Sequence, residues 1–359
     1  MGFLDLEQTQ ETNKYQKLGY LDNPFPIRGK VAPEIYVERP ELRELQQKLN
    51  HFLTGQENGD FWVLEASKGI GKSNFLRHLE WEIEQAEQAN KLPSKVVYKY
   101  IDGSFISPRD LVERLVYAIG EENFNQLLEQ ISKQKIILPK ELQGTDLWRF
   151  FESSPLRQFS VNDVENPHTQ FLMKWLMGGS TISKDREKYN IWSKDRMPPA
   201  VAFPYLKALI ACMKQANIVD KVLLLIDEFE DIQHLERRKK TEFIQTLKSM
   251  LNCFNWDMLF IIIAGQESVF TTIASQYTSL ADRWHRESLK PIESSIQAVQ
   301  LARAYMVYAR NLYDKDNNKS IRLFKPTNED IKVIYADLSK EATQRDLLDK
   351  LHDWIEGKV

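Results

Sequence analysis

The sequence predicts an α/β protein with a parallel sheet that helices cover on both faces. Short apolar runs alternate with amphipathic helical patterns, and these runs lie at residues 61–64, 96–101, 222–226 and 259–264. Strands that are apolar throughout, rather than at every second position, are typical of a parallel sheet buried on both faces. A glycine-rich segment directly follows the first run, and two carboxylates directly follow the third.

The length of 359 residues leaves room for more than one compact α/β core. We predict an N-terminal arm over residues 1–35 and an α/β core over 36–292. Within the core, the pattern changes over about 121–199, where amphipathic, aromatic-rich pieces predict a mostly helical insertion. This insertion either docks a partner or extends the core, and aromatic residues at helical spacing are more often core. Residues 293–359 are helical in pattern and predict a C-terminal helical lid.

Composition excludes several classes of protein. The net charge of −3 provides no global basic field, so any contact with nucleic acid needs a local patch or a surface made by assembly. The only two cysteines, Cys212 and Cys253, each lie in an apolar pattern and predict buried, reduced thiols. The N-terminus lacks the pattern of a signal peptide, and no apolar run is long enough to span a bilayer. We therefore expect a soluble, cytoplasmic protein without a membrane partner.

The glycine-rich segment EASKGIGKS, residues 65–73, matches the phosphate-binding pattern G-x-x-x-x-G-K-[ST] except that Ala66 replaces the leading glycine. Gly69 and Gly71 would let backbone N–H groups turn toward phosphate oxygens without a Cβ in the way. Lys72 would reach the β- and γ-phosphates. The Ser73 hydroxyl would bind Mg²⁺ at the start of a helix, whose positive end favours anions. An ordinary glycine turn before a helix is the alternative interpretation.

The acidic pair Asp227-Glu228 ends the third apolar run. Ligands of open α/β sheets bind beyond the carboxyl ends of the strands, which is where this pair is predicted to lie. Asp227 would hold Mg²⁺, and Glu228 would polarise the attacking water. Alternatively, both residues merely cap the next helix. The acidic pair follows the glycine-rich segment along the chain, and this order of the two motifs favours binding of ATP and Mg²⁺.

Taken together, these motifs resemble those of AAA+ P-loop ATPases of the Orc1/Cdc6-like branch, a group that includes ATPases of bacterial BREX-type phage-defence and transposition systems. The matching pieces are YVERPEL at 36–42, GIGKS at 69–73, LIDEFE at 225–230, IIAGQE at 262–267 and, in the insertion, FLMKWLMG at 171–178. The resemblance spans most of the chain, but only the glycine-rich segment at 69–73 and the acidic segment at 225–230 are specific to such ATPases.

The resemblance implies further site residues. Gln266 falls at sensor 1, where a polar side chain touches the γ-phosphate or the water; otherwise it is a polar residue at a strand end. Arg283 or Arg286 would be the arginine finger that a neighbouring subunit inserts, unless both are ordinary surface arginines. Arg345 matches the sensor-2 arginine of the lid, with a helix-surface ion pair as the alternative. The nucleotide is expected to contact Ser67, Lys68, Gly69, Ile70, Gly71, Lys72, Ser73 and Asn74.

Two function classes follow from the resemblance. The first is an oligomeric ATPase that remodels or regulates a DNA or protein complex, in phage defence or another DNA transaction. The second is a low-turnover switch or scaffold that signals to a protein partner, which Ala66 favours if it narrows the loop. The basic run at 237–240 is either a solvated helix start or part of a DNA-binding stripe formed by assembly. Family members carry a winged-helix domain after the lid, whereas this chain ends at Val359, so we expect no autonomous sequence-specific DNA binding.

Overall fold

Five strands form one parallel sheet in the part of the chain that the structure, a computed structural model, describes. That part comprises residues 14–18, 20–26, 30–103, 105, 107–157, 166–193, 195–254, 258–317, 325–338 and 342–359. The strands are β1 (Phe61–Glu65), β2 (Val96–Ile101), β3 (Lys221–Ile226), β4 (Leu259–Gly265) and β5 (His285–Ser288). Their order is β2-β3-β4-β1-β5, and all neighbours run parallel. The predicted α/β class is confirmed, and the carboxyl ends of all five strands lie at one edge.

Burial explains which strands the sequence reveals. Every residue of β1, β3 and β4 is buried, and apart from the terminal Glu65 and Lys221 these strands are apolar on both faces. Their predicted bounds are correct to within one residue. The edge strand β5 pairs with β1 along one side only, with Val63 opposite Arg286. Its sequence HRES is polar and mostly exposed, and no strand was predicted there.

The helices confirm the predicted helical insertion and helical C-terminal segment. They are α1 (Arg43–Thr54), α2 (Lys72–Gln88), α3 (Asp110–Ile119), α4 (Glu121–Ser132), α5 (Asp146–Glu152), α6 (Ser154–Arg157), α7 (Pro167–Leu176), α8 (Ser183–Lys188), α9 (Pro199–Gln215), α10 (Arg237–Phe254), α11 (Glu267–Gln276), α12 (Thr278–Ala281), α13 (Ser295–Asn317), α14 (Asn328–Ala336) and α15 (Gln344–Glu356). Short 3-10 helices lie at Lys14–Leu18, Pro40–Leu42, Lys140–Leu142 and Phe229–His234.

The chain divides into two compact units. The loop unit comprises the described residues of Met1–Pro40, together with Ala66–Trp81 and Leu289–Val359. The sheet unit comprises Glu41–Glu65 and Glu82–Ser288. The glycine-rich segment and α13–α15 therefore belong to the loop unit, and the sheet and the insertion belong to the sheet unit. The domain boundaries predicted at residues 36 and 293 stay a prediction.

Within the sheet unit, the insertion extends the core. Phe150, Phe171 and Trp175 are buried in the same hydrophobic cluster as the strands. The Phe150 ring packs against those of Phe171 and Tyr189, with centroids 6.0 and 5.1 Å away. Trp192 differs, because its side chain is 72% exposed. Most aromatic residues of the insertion thus belong to the core, which is the alternative that their helical spacing favoured.

The insertion is also tied to α3. Gly178 ends the segment at 171–178 in the left-handed conformation, with φ 68°. Its carbonyl oxygen accepts a hydrogen bond from the Arg109 guanidinium, and a Cβ at Gly178 would overlap that group. Glycine is favoured there by the positive φ and by the Met197 carbonyl oxygen, which a Cβ would approach to 2.9 Å.

The loop unit has a core of its own. α13, α14 and α15 contribute buried residues to it, and so does the predicted arm, through Tyr20 and Phe25. Helices α14 and α15 each begin with a capping box, formed by Thr327 with Asp330 and by Thr343 with Asp346. These boxes satisfy backbone N–H groups that would otherwise lack partners at the helix start.

The remaining predictions from composition concern thiols, metals and membranes. Cys212 and Cys253 are both free, the first buried and the second half-buried. Burial raises the pKa of the Cys212 thiol to about 11, which leaves it protonated and unreactive. In the described residues, no three histidine, cysteine or acidic side chains are grouped as a metal site. Among the same residues, no helix has both the length and the apolar character needed to cross a membrane.

Candidate nucleotide-binding site

The glycine-rich segment, in the loop unit, turns at two glycines in the left-handed region. Gly69 has φ 82° and Gly71 has φ 105°, and other residues adopt such values only with strain. Ala66, which stands where the pattern has its first glycine, is not among the residues with positive φ. The replacement of that glycine by alanine therefore introduces no backbone strain.

Lys72 lies over the start of this segment. Its Nζ donates hydrogen bonds to the carbonyl oxygens of Ala66 at 2.7 Å and Ser67 at 3.0 Å, and the residue is only 8% exposed. These bonds keep a desolvated cation beside the loop, where it would attract anionic oxygens strongly. Ser73 follows in the first turn of α2 and is half-buried, whereas Ser67 and Lys68 are exposed.

The first turn of α15 packs on the glycines. The Arg345 backbone N–H donates to the Gly69 carbonyl oxygen at 3.1 Å. A Cβ at Gly69 would lie 2.8 Å from the Thr343 hydroxyl oxygen, and one at Gly71 would overlap the Gln344 side chain. The close approach of α15 thus favours glycine at position 69, whereas at position 71 the flexible Gln344 side chain could move and the positive φ is what favours glycine. The Arg345 side chain, the sensor-2 candidate, is exposed at this helix start.

Two further polar side chains, those of Asn74 and Arg39, hold the glycine-rich segment in place. The Asn74 side chain accepts from the Ala32 N–H at 3.0 Å and donates to the Ile35 carbonyl oxygen at 2.9 Å. Arg39 donates to the Ile70 carbonyl oxygen at 3.0 Å. Asn74 therefore holds the segment before the core, and its predicted nucleotide contact stays a prediction.

The acidic pair, in the sheet unit, directly follows β3. Asp227 is 1% exposed, and its Oδ2 accepts a hydrogen bond from the Tyr100 hydroxyl at 2.7 Å. Its Oδ1 accepts from the Glu228 N–H at 2.8 Å. A buried carboxylate is stable when such donors compensate its lost hydration. The Asp227 side chain is therefore fixed in place by its neighbours.

Glu228 has an unusual backbone and an unfavourable charge environment. Its φ of 49° and ψ of 37° place it in the left-handed region, which is uncommon for glutamate and recurs at functional sites. Partial burial, followed by the negative charges of neighbouring acids, raises the pKa of the Glu228 carboxyl above its usual value. A general base near neutral pH gains from such a shift. The acids concerned are Asp227, Asp231, Glu230 and Asp102.

Gly103 allows the end of β2 to approach this pair. A Cβ at Gly103 would lie 2.7 Å from the Asp227 carbonyl oxygen and would overlap that of Glu228. Both are backbone atoms and cannot rotate away. Gly103 is therefore part of the packing that shapes the acidic motif.

Gln266 directly follows β4 and occupies the N-cap position of α11, where its side chain makes no capping hydrogen bond. Its Nε2 donates to Oε1 of Glu230 at 3.2 Å, which joins the segment after β4 to the segment after β3. The predicted sensor-1 residue thus lies at the same sheet edge as the acidic pair and is held by a carboxylate.

The two finger candidates have different surroundings. Arg286, in β5, forms an ion pair with Glu65, and its Nε lies 3.2 Å from Oε2 of that residue. Glu65 also accepts from the Ser288 hydroxyl at 2.7 Å and is 6% exposed. Arg283 is exposed and donates to the Asn252 side chain. Both arginines are exposed, but Arg286 pairs with a buried carboxylate, whereas Arg283 contacts only an amide side chain among the described residues.

The basic run occupies the first turn of α10. Residues 237–239 are exposed and Lys240 is half-buried, and Arg238 pairs with Glu242 at 2.9 Å. An exposed pair one helical turn apart is typical of a solvated helix surface. The basic run is therefore compatible both with a solvated helix start and with part of a DNA-binding stripe formed by assembly.

Each unit, taken by itself, contains residue types that ATP and Mg²⁺ bind. In the loop unit, Gly69 and Gly71 both adopt positive φ, and the buried Lys72 ammonium lies at the start of the same segment. Serine hydroxyl and aspartate carboxylate oxygens, as offered by Ser73 and Asp227, are the donors that Mg²⁺ prefers. The predicted assignments of individual residues stay predictions.

Sequence reasoning missed four residues of this site: Glu65, Tyr100, Gly103 and Glu230. Gly103 and Glu230 carried a signal, since they follow the carboxyl ends of β2 and β3 by two and four residues. Tyr100 looks like any residue of a strand. Glu65 looks like a polar strand end, and only the pairing of β1 with β5 brings it to Arg286.

Comparison with known proteins found likenesses among solved structures. No family model and no curated protein matches the chain. A structure of Drosophila ORC bound to DNA is 12% identical, with TM-score 0.45, and the match covers 92% of this chain and 59% of that one. The Aeropyrum pernix ORC2 protein, in ADPNP–ADP complexes, is 13% identical, with TM-score 0.45 and coverage of 91% and 70%. A Walker-type ATPase of Pyrococcus abyssi is 15% identical, with TM-score 0.43 and coverage of 94% and 72%. The chain thus spans about three fifths of the Drosophila protein, and none of these likenesses transfers an activity or partner to it.

Proposed function

We propose that this chain binds ATP with Mg²⁺ and hydrolyses it, as an oligomeric AAA+ ATPase of the Orc1/Cdc6-like kind. One observation carries the proposal. The chain leaves β1 directly into the glycine-rich segment and leaves β3 directly into the acidic pair, and both strands flank β4 in one parallel sheet. Carboxyl ends of such strands are where open α/β sheets bind ligands.

Each residue has a role in the proposed reaction. Lys72 and the backbone N–H groups of residues 67–73 bind the phosphates, and Ser73 and Asp227 hold Mg²⁺, which neutralises charge on the phosphate oxygens. Glu228 orients a water molecule and takes its proton. The water oxygen bonds to the γ-phosphorus while the bond between that phosphorus and the bridging oxygen of ADP breaks. Arg283 or Arg286 of a neighbouring subunit stabilises the charge that develops.

The proposed biological role is to remodel or regulate a DNA or protein complex, with phage defence as one setting. The exposed basic run at 237–239 supports a DNA contact once several subunits assemble, because each subunit would add one run. Assembly is also required for an arginine finger to act.

Steady-state ATP hydrolysis with Mg²⁺ tests this proposal. Wild type and Glu228→Gln are compared at several protein concentrations, with and without duplex DNA. We expect turnover that rises with protein concentration and is lost in Glu228→Gln while ATP binding persists. Equal turnover in both proteins would contradict the role of Glu228.

A second candidate function is a low-turnover switch that signals to a protein partner. The packing of Thr343, Gln344 and Arg345 on the glycines of the loop supports it, because bound nucleotide could control the position of α15. Tight ATP binding without turnover in wild type would favour this function over hydrolysis.

A further inference from the structure

We infer that Glu230 is a positioning residue that makes the side chain of Gln266 present its carbonyl oxygen, an acceptor, to the attacking water. The inference rests on the proposed hydrolysis. Its basis is the hydrogen bond from Gln266 Nε2 to Glu230 Oε1 at 3.2 Å. A carboxylate accepts hydrogen bonds and donates none, so the NH₂ side of the amide must face it. The orientation of the amide is thereby determined by chemistry and not by an arbitrary choice between O and N.

The surroundings of Glu230 keep its carboxylate close to the end of β4. A Cβ at Gly265 would lie 3.2 Å from Glu230 Oε2 and 3.1 Å from the Phe270 ring, so glycine leaves the space that the carboxylate fills. Oε2 itself is buried and has no hydrogen-bond partner among the described residues. A buried polar atom without a partner costs stability. The protein retains this destabilising carboxylate beside the acidic motif, which indicates that the carboxylate has a functional role.

The resulting orientation decides between the two contacts expected at this position. With its NH₂ group held by Glu230, Gln266 offers Oε1 to the site. An acceptor oxygen attracts the hydrogens of water and repels the oxygens of a phosphate. Gln266 therefore orients the water whose proton passes to Glu228 and does not contact the γ-phosphate.

Exchanging the two side chains tests this inference. In Gln266→Glu, two carboxylates face each other, and we expect kcat to fall about tenfold because the side chain at 266 is displaced. In Glu230→Gln, the amide at 230 can accept or donate, so Gln266 loses its single orientation and kcat falls several-fold. In the double variant, the amide at 230 donates to the carboxylate at 266, which again presents an oxygen acceptor to the water. We expect the double variant to recover most of the kcat that Gln266→Glu loses, with the KM for ATP unchanged throughout.

The control is Glu236→Gln, which makes the same chemical change at an exposed position outside the site. Unchanged kcat in Glu230→Gln, or a double variant no faster than Gln266→Glu, would overturn the inference. A direct contact between Gln266 and phosphate predicts the second result, because a carboxylate would then face an anion.

If Gln266→Glu does not fold, Glu230→Asp replaces it. The shorter side chain draws the amide at 266 back, and kcat should fall at constant KM. Absence of turnover in wild type would overturn the proposed hydrolysis and this inference together, whereas wild-type turnover with unaffected variants overturns the inference alone.

Discussion

Replacing Gly103 by alanine gives the sharpest test of how the acidic motif is held. The new Cβ would lie 2.7 Å from the Asp227 carbonyl oxygen and would overlap that of Glu228. The φ of Gly103 lies outside the range that only glycine tolerates, so the substitution acts through sterics alone. Since both contacted atoms are backbone, no side-chain rotation relieves the overlap.

The size of the effect follows from these distances. An ordinary contact begins at 3.4 Å, so the Asp227 carbonyl must move by 3.4 − 2.7 Å, or about 0.7 Å, and that of Glu228 by more. Overpacking of this kind costs about 1–3 kcal/mol of the free energy of unfolding. Displacing a catalytic group by about 1 Å can lower kcat by about 100-fold. We expect the effect on ATP affinity to be small, because the glycine-rich segment is untouched.

Urea denaturation and steady-state ATP hydrolysis measure the two effects. Gly357→Ala is the matched control, because its Cβ would meet nothing closer than 3.6 Å and its φ is −74°. The control should change the free energy of unfolding by no more than about 0.5 kcal/mol. A Gly103→Ala protein with the stability and kcat of the control would refute the close approach described here.

Three further predictions concern charges at the same sheet edge. Tyr100→Phe removes the hydroxyl that Asp227 accepts from at 2.7 Å, and should lower the free energy of unfolding by about 1.5–3 kcal/mol in urea denaturation. Glu228→Gln should stabilise the protein near neutral pH, because the raised pKa of Glu228 means that the folded state disfavours its ionised form. The free energy of unfolding of the wild type then falls as pH rises from the usual glutamate pKa through the raised pKa of Glu228. The melting temperature of Glu228→Gln should therefore exceed that of the wild type increasingly over this pH range, and the difference should vanish below it. Arg286→Ala removes the cation that pairs with the buried Glu65 carboxylate and should cost about 2 kcal/mol, part of which a second change, Glu65→Gln, restores.

Each of these predictions has a matched control. Tyr98→Phe removes a hydroxyl from the same strand, where it meets Glu87 at 3.2 Å in an exposed bond, and should cost less. Glu236→Gln removes an exposed charge outside the site and should leave the melting temperature nearly unchanged. Arg238→Ala breaks a pair in which the arginine side chain is 89% exposed, and should be nearly neutral. An equal loss in target and control would contradict the corresponding prediction, as would a Glu228→Gln advantage that grows in acid.

The sequence alone determined the class of sheet and the order of its motifs. β1, β3 and β4 are apolar on both faces because both faces are covered, and this leaves a continuous signal in the chain. The sharp turn after β1 was also predictable, because the sequence places glycines at 69 and 71 and both adopt positive φ. The helical insertion and helical C-terminal segment followed from their periodicity.

Only the tertiary structure decided which side chains meet. The polar strand β5 is recognised only by its pairing with β1. That pairing brings Arg286 to the buried Glu65 carboxylate, whereas Arg283 meets the Asn252 side chain. Likewise, the contact of Gln266 with Glu230 joins residues 36 positions apart. Such contacts depend on strand order and on distances of a few ångströms between chain segments. Local patterns record propensity and burial, but they contain no information about which distant segment lies alongside.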